Sequence, residues 1–210
     1  MIDFMKPVVE NQMLSLFSIP VGQYKIDREL SKKEMNFFLK QPQRANLGNT
    51  TSTNSYILNR KELTSLRNEL ENKLQAYFEQ VYSPKYDVSL RITQSWVNYT
   101  KKGQFHHKHR HPNSFISGVY YIETTGIDRI YFHNDRAPMI DIVPTEWNSW
   151  NSKTWWTEAK KGSLVLFPSS LEHNVEVVNT DETRISLSFN TFPIGDIGEE
   201  KDLTGLKLEG

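Results

Sequence analysis

The sequence predicts a mainly β protein with helices gathered in its N-terminal third. Two observations lead there. From Val88 onward, short runs rich in β-branched and aromatic residues are separated by Gly, Pro, Asn and Asp, the texture of strands joined by turns. Before Val88, leucines recur at three- and four-residue steps, the period of a helix with one buried face. No linker of biased composition divides the two parts and no internal repeat is present. The 210 residues therefore read as one domain, a β-sandwich or barrel with helices packed on it. Residues 1–87 form the helical support, 88–194 the β core and 195–210 a charged, glycine-containing tail expected to be loosely ordered.

The elements follow in order. Leu14 to Ile19 is short and apolar, ends at Pro20 and predicts a strand. Ser31-Lys32-Lys33-Glu34 has the form of a capping box, with Met35, Phe38 and Leu39 following at helical spacing, so a helix is expected from Ser31 to Gln41. Residues 44–56 are polar and turn-rich and read as a loop. Leu63, Leu66, Leu70, Leu74, Phe78 and Val81 place a long helix from Asn59 to Tyr82, capped by Asn59 and stopped by Ser83-Pro84. Strands are expected at Ile92–Tyr99, Phe115–Ile122, Arg129–His133, Thr154–Glu158, Leu164–Phe167, Asn174–Val178 and Arg184–Thr191.

Composition narrows the function classes. The chain has no cysteine, which rules out disulfides and thiolate metal sites and fits a reducing compartment. Lys plus Arg balance Asp plus Glu at 25 each, so no global field favours nucleic acid or an anionic membrane. Only local patches such as Lys101, Lys102, Lys108 and Arg110 are basic. No apolar run approaches the roughly 20 residues that span a bilayer, and the N-terminus lacks the pattern of a signal peptide. A soluble cytoplasmic protein is the expectation.

The candidate chemistry lies in the histidines. Four of the six fall between positions 106 and 111: His106, His107, His109 and His111. On an extended strand His107, His109 and His111 share one face and His106 points away. His173 follows some sixty residues later, five past Pro168 at the end of Gly162-Ser163-Leu164-Val165-Leu166-Phe167-Pro168. A His-x-His on one strand with one later histidine is a layout by which a β-helix barrel can gather three ligands at its mouth. Nitrogen ligands without thiolate suit iron(II), manganese, nickel, copper or zinc, with positions left open. Arg184 and Ser186 share a strand face eleven residues beyond His173. An inward arginine needs a partner, because an unpaired buried charge is costly. A dicarboxylate would satisfy it, its far end on Arg184 and Ser186 and its keto acid end on the metal. Exposure, or pairing with Asp181 or Glu182, is the plainer alternative.

These segments resemble a known family. His109-Arg110-His111-Pro112-Asn113-Ser114-Phe115-Ile116-Ser117-Gly118-Val119-Tyr120-Tyr121, then Gly162 to His173, then Arg184-Ile185-Ser186-Leu187-Ser188-Phe189-Asn190, are similar in order to three motifs of small 2-oxoglutarate/Fe(II) oxygenases found mainly in marine bacteria and their phages. The resemblance covers Ile92 to Thr191. It implies a double-stranded β-helix (jelly-roll, cupin-like) that holds Fe(II) through His109, His111 and His173. It implies 2-oxoglutarate anchored by Arg184 and Ser186, with Asn98 or Tyr121 beside it. The activity implied is dioxygenase hydroxylation of a prime substrate, with O2 consumed and succinate and CO2 released.

The chain departs from the wider pattern in two places. The superfamily pairs its first histidine with Asp or Glu two residues on, where this chain has His111. His111 can bind iron as a third imidazole or leave the position to water, or His107 and His109 can form the pair. The family's Asp-Pro-Arg after the Tyr-Tyr strand is replaced by Asn134-Asp135-Arg136. A metal-dependent cupin that does not use 2-oxoglutarate is the nearest rival, since Gly103 and the Gly162–Pro168–His173 spacing fit it. It lacks the glutamate expected beyond His-x-His, where Ser114, Phe115 and Ile116 stand. A non-catalytic β-helix binding module is the other rival. Residues 134–158 carry Trp147, Trp150, Trp155 and Trp156 and read either as a loop packed on the barrel or as a lid. Exposed strands at the barrel edge make a homodimer a reasonable expectation.

Overall fold

The computed structural model describes residues 13–135 and 140–209. Twelve strands and two helices run in the order β1 Gly22–Lys25, α1 Lys32–Leu39, β2 Gln43–Ala45, β3 Thr50–Ser52, α2 Thr64–Tyr82, β4 Val88–Thr100, β5 His106–His109, β6 Ile116–Glu123, β7 Arg129–His133, β8 Thr154–Glu158, β9 Ser163–Pro168, β10 His173–Val175, β11 Arg184–Ile197 and β12 Leu206–Leu208. They make two sheets. The major one has the order β1-β9-β6-β11-β4-β3-β2, with β12 added to β11, and the minor one β5-β10-β7-β8. All ladder pairings are antiparallel. The architecture is a double-stranded β-helix with helices laid on the major sheet.

Strand alternation sorts the residues into two cores. Val97 and Tyr99 of β4, Ile116, Tyr120 and Ile122 of β6, Leu164 and Leu166 of β9, and Ile185, Leu187 and Phe189 of β11 pack against Leu66, Leu70, Leu74, Tyr77 and Phe78 of α2. The intervening residues Val119, Tyr121, Val165 and Phe167 turn the other way and meet Ile130, Phe132 and Leu171 between the sheets. A one-residue slip would exchange the two sets, so burial on both faces fixes the register.

Several expectations are revised. Leu14–Ile19 is not a strand: a turn at Leu16–Phe17, with Phe17 at φ 58°, leaves this stretch irregular and largely exposed. The strand begins beyond Pro20, at Gly22. Residues 44–56 hold the β2–β3 hairpin, whose polar residues gave no apolar alternation to read. Thr51 and Ser52 are buried nonetheless, and Val97 N donates to Ser52 Oγ at 3.1 Å. The long helix starts at Thr64, preceded by two 3₁₀ turns that bury Ile57, Leu58 and Leu63. Asn59 therefore caps nothing and instead accepts from Arg67 Nη1 at 2.8 Å. The capping box at Ser31 and Glu34 is formed as expected. The tail is ordered through β12, which pairs Gly195–Ile197 of β11 with Leu206–Leu208.

Gly118 of β6 faces Phe189 of β11, and a Cβ there would overlap the phenyl ring. Gly118→Ala should therefore cost about 1–3 kcal/mol of stability, the usual range for overpacking a filled core. A urea unfolding curve with an unchanged midpoint would contradict this close fit.

Candidate metal centre and inner pocket

Three histidines converge where the minor sheet meets the loop after β5. His109 on β5 and His173 on β10 are direct cross-strand partners. His111 lies beyond the end of β5, not on it. Pro112 has no N–H to extend a ladder and Asn113 turns the chain at φ 57°. The backbone N–H of His111 is fixed by Ser169 O at 3.0 Å. The ring of His111 stacks on that of His173, with centroids 5.1 Å apart and planes at 10°. Candidate ligand nitrogens of His109, His111 and His173 all lie within 4.8 Å of one another.

Their hydrogen bonds fix the tautomers. His173 Nδ1 donates to Leu171 O at 2.9 Å and His109 Nδ1 to His107 O at 2.7 Å, which leaves both Nε2 lone pairs free. Nε2 of His111 and Nε2 of His173 are 3.2 Å apart. Two ligands about 2.1 Å from a common ion at a right angle would be about 3 Å apart. Burial, then the neighbouring His109, pushes the imidazoles of His111 and His173 down to about 3. His109 is lowered too, chiefly by burial. Three neutral nitrogen donors facing one point fit a divalent metal of the borderline class.

His106 does not point away. Between the pairs His173↔His109 and Val175↔His106 the register shifts. Three steps on β5 answer two on β10, a bulge that reverses the side-chain phase. The ring of His106 consequently stacks on His109, centroids 4.6 Å apart. His106, His107 and His109 form a second close group, but it lacks His173. His133 stands apart, its Nε2 meeting Asn174 Oδ1 at 2.7 Å.

Deeper between the sheets, Asn98 of β4 lies opposite Ser186 of β11, which lies opposite Tyr121 of β6. Arg184 is two residues from Ser186 on the same face and is buried. Its Nη1 donates to Ser186 Oγ at 3.2 Å. Its charge is met by neither Asp181 nor Glu182 but by Asp128, both carboxylate oxygens lying 2.9 Å from Nε. Asp128, on the loop before β7, escaped the sequence reading. The signal for it was the requirement that a buried guanidinium have a protein partner. Among the described residues, Arg184 Nη2, the Tyr121 hydroxyl and Asn98 Oδ1 have no hydrogen-bond partner and are buried. Burial raises the Tyr121 hydroxyl, so it remains a donor. Two unused donors, on Arg184 and Tyr121, suit a ligand carboxylate. The positive charge of Arg184 is among the influences that hold His106 neutral, after burial and the neighbouring histidines.

The four tryptophans expected on a loop or lid are all exposed, on β8 and the segment before it, and none lines the cavity beside the histidines. Arg129 stacks on Trp156, 3.7 Å from the ring centre. Arg136 lies outside the described residues, as does the 136–139 part of the expected lid.

Residues 94–190 match the profile of the family described as "Putative 2OG-Fe(II) oxygenase". That span covers all three histidines and Arg184. Among solved structures, HygX from Streptomyces hygroscopicus with nickel and 2-oxoglutarate bound superposes with TM-score 0.58 at 10% identity, over 82% of this chain and 82% of that chain. A 2OG-Fe(II) oxygenase family oxidoreductase from Burkholderia pseudomallei gives TM-score 0.53 at 13% identity, over 75% of this chain and 74% of that chain. A Pseudomonas putida prolyl-4-hydroxylase gives TM-score 0.51 at 13% identity, over 82% of this chain and 93% of that chain. At these identities the likeness is one of fold. A search of curated protein sequences gave no match.

Two outcomes follow. Asp128→Asn would leave a buried guanidinium uncompensated and should cost about 3–5 kcal/mol, read as a fall in denaturant midpoint. The depressed histidines fix a pH trend as well. Between about 3 and the ordinary 6.5, the unfolded chain binds protons that the folded chain does not, so stability of the metal-free protein must rise with pH. Its melting temperature should fall as pH is lowered from 7 to 5, and a flat profile would show that these rings are not buried neutral.

Proposed function

We propose that the chain is a 2-oxoglutarate- and Fe(II)-dependent oxygenase that hydroxylates a prime substrate, with O2 consumed and succinate and CO2 released. The observation that carries the reading is a juxtaposition. Three neutral histidines face one point, and a buried arginine with an unused donor lies within electrostatic reach of the adjoining His106. The family match and the metal and 2-oxoglutarate held by HygX support it.

In this reading His109, His111 and His173 hold the iron, and Arg184, Ser186 and the Tyr121 hydroxyl take the distal carboxylate of 2-oxoglutarate. Asn98, in the same rung, borders the cosubstrate. When bound, iron and 2-oxoglutarate supply the oxidant for a C–H bond, as one oxygen atom goes to succinate and the other to the product. The protein's own part is positional. Asp128 occupies the Nε edge of Arg184 and so turns the Nη edge toward the ligand. Val119, Val165, Phe167 and Phe132 exclude water from the space between the sheets.

The reading is tested by titrating the metal-free protein with Fe(II) and then 2-oxoglutarate under argon. A weak visible charge-transfer band is expected, and His173→Ala should abolish both the band and 2-oxoglutarate-dependent succinate formation. Arg184→Lys keeps a charge beside Asp128 but loses the fork, and should weaken 2-oxoglutarate by about tenfold or more, as for one lost charge-assisted hydrogen bond. Iron binding without a band would favour the cupin reading. Absence of metal binding would end the enzyme reading.

A further inference from the structure

A cavity of about 460 Å³ opens onto His109 and His111, a volume suited to a small molecule. The rest of its lining comes from the β2–β3 hairpin, the segment after it and β4, and includes Arg44, Asn46, Thr51, Ser55, Gln94 and Trp96. Among the described residues, no aspartate or glutamate lines it, although the chain carries 25 of them. Among the described residues Arg44 makes no ion pair.

Arg44 has a fixed place in the sheet. It lies opposite Thr51, Thr51 opposite Asn98, Asn98 opposite Ser186, and Ser186 opposite Tyr121. One rung thus crosses five strands on one face. Its inner members border the pocket assigned to 2-oxoglutarate. Its outer member is a cation two strand spacings, about 10 Å, from Asn98. The hairpin that carries it is anchored rather than loose: Thr51 and Ser52 are buried, and Phe105 N donates to Gly48 O at 3.0 Å. Along β4 the same face runs from exposed Gln94 at the rim, through Trp96 with its ring 5.7 Å from that of His111, to buried Asn98.

We infer that the prime substrate is a small molecule bearing an oxyanion, a carboxylate or a phosphate monoester, which Arg44 binds while Trp96 supports the carbon skeleton in front of His111. This rests on the oxygenase reading above. The guanidinium fork matches either oxyanion. Among the described residues no carboxylate lines the cavity, so Arg44 leaves the field there positive. Arg44 and the histidines line the cavity from different strands, so the oxidised carbon and the acid group belong to different parts of the skeleton.

Four probe sets test this: N-acetyl-L-amino acids, their amides, nucleoside 5′-monophosphates, and the parent nucleosides. Binding to the metal-free protein is read by saturation-transfer NMR. Binding to the protein carrying Fe(II) and 2-oxoglutarate is read by the shift of the visible band under argon, and stimulated succinate formation is read in air. At least one acid set should bind about tenfold or more tightly than its uncharged counterpart, the effect of one charge-assisted pair. Which acid set responds distinguishes carboxylate from phosphate. Arg44→Gln should erase that preference, with iron and 2-oxoglutarate binding measured alongside to show that the variant is folded. Equal binding of acids and uncharged counterparts overturns the inference, as does no binding by either acid set or a preference that survives Arg44→Gln. A missing visible band in the unaltered protein would count against the oxygenase reading instead, and the NMR comparison would still decide whether the cavity selects oxyanions.

Discussion

Everything in this molecule hangs on the register of β11 between β4 and β6. Fourteen residues long, this strand shows one set of side chains to the helices and the other to the interior. Ile185, Leu187 and Phe189 close the core under α2. Arg184, Ser186, Ser188 and Asn190 face inward, and all four are buried. A strand apolar on one face and polar on the other, yet buried on both, leaves water no part in setting its register. The polar face must find partners within the protein or in a ligand. Asp128, Asn98 and the Ser117 hydroxyl are such partners, and the donors left over, on Arg184 and Tyr121, are free for a ligand carboxylate.

The second constraint is local. A bulge in β5 alters the side-chain phase so that His106 and His109 stack, and Pro112 ends the strand just after His109. His111 is thereby released from the ladder and turned onto His173. A regular strand would have set His107, His109 and His111 on one face and His106 alone on the other. The irregularity makes the triad compact, and β-bulges next to functional sites commonly re-aim side chains in this way.

Most of the strand pattern was legible because it rests on period-two alternation of large apolar residues, which survives any detail of packing. The α2 face and the capping box at Ser31 were legible for the same kind of reason. Three features were not. The β2–β3 hairpin is built of polar residues and is defined by the backbone it pairs with. The bulge in β5 depends on β10, a partner more than sixty positions away. Asp128 was hidden because its importance comes from Arg184, and nothing in its own neighbours marks it. The histidines and Arg184 could be picked out by residue type and spacing. How they meet, and the place of Arg44 at the end of the rung through Thr51, Asn98 and Ser186, required the sheet order.

The ion pair of Arg184 with Asp128 also bears on how the chain reaches and leaves its folded state. The partners are 56 positions apart, one on the major sheet and the other on the loop leading into the minor sheet. Neither can shed its water until both sheets have come together. Their contact therefore waits on the closing of the two sheets. An interaction absent from the folding transition state acts chiefly on the rate of opening, so, made at that stage, this pair should govern how long the closed barrel persists more than how quickly it forms.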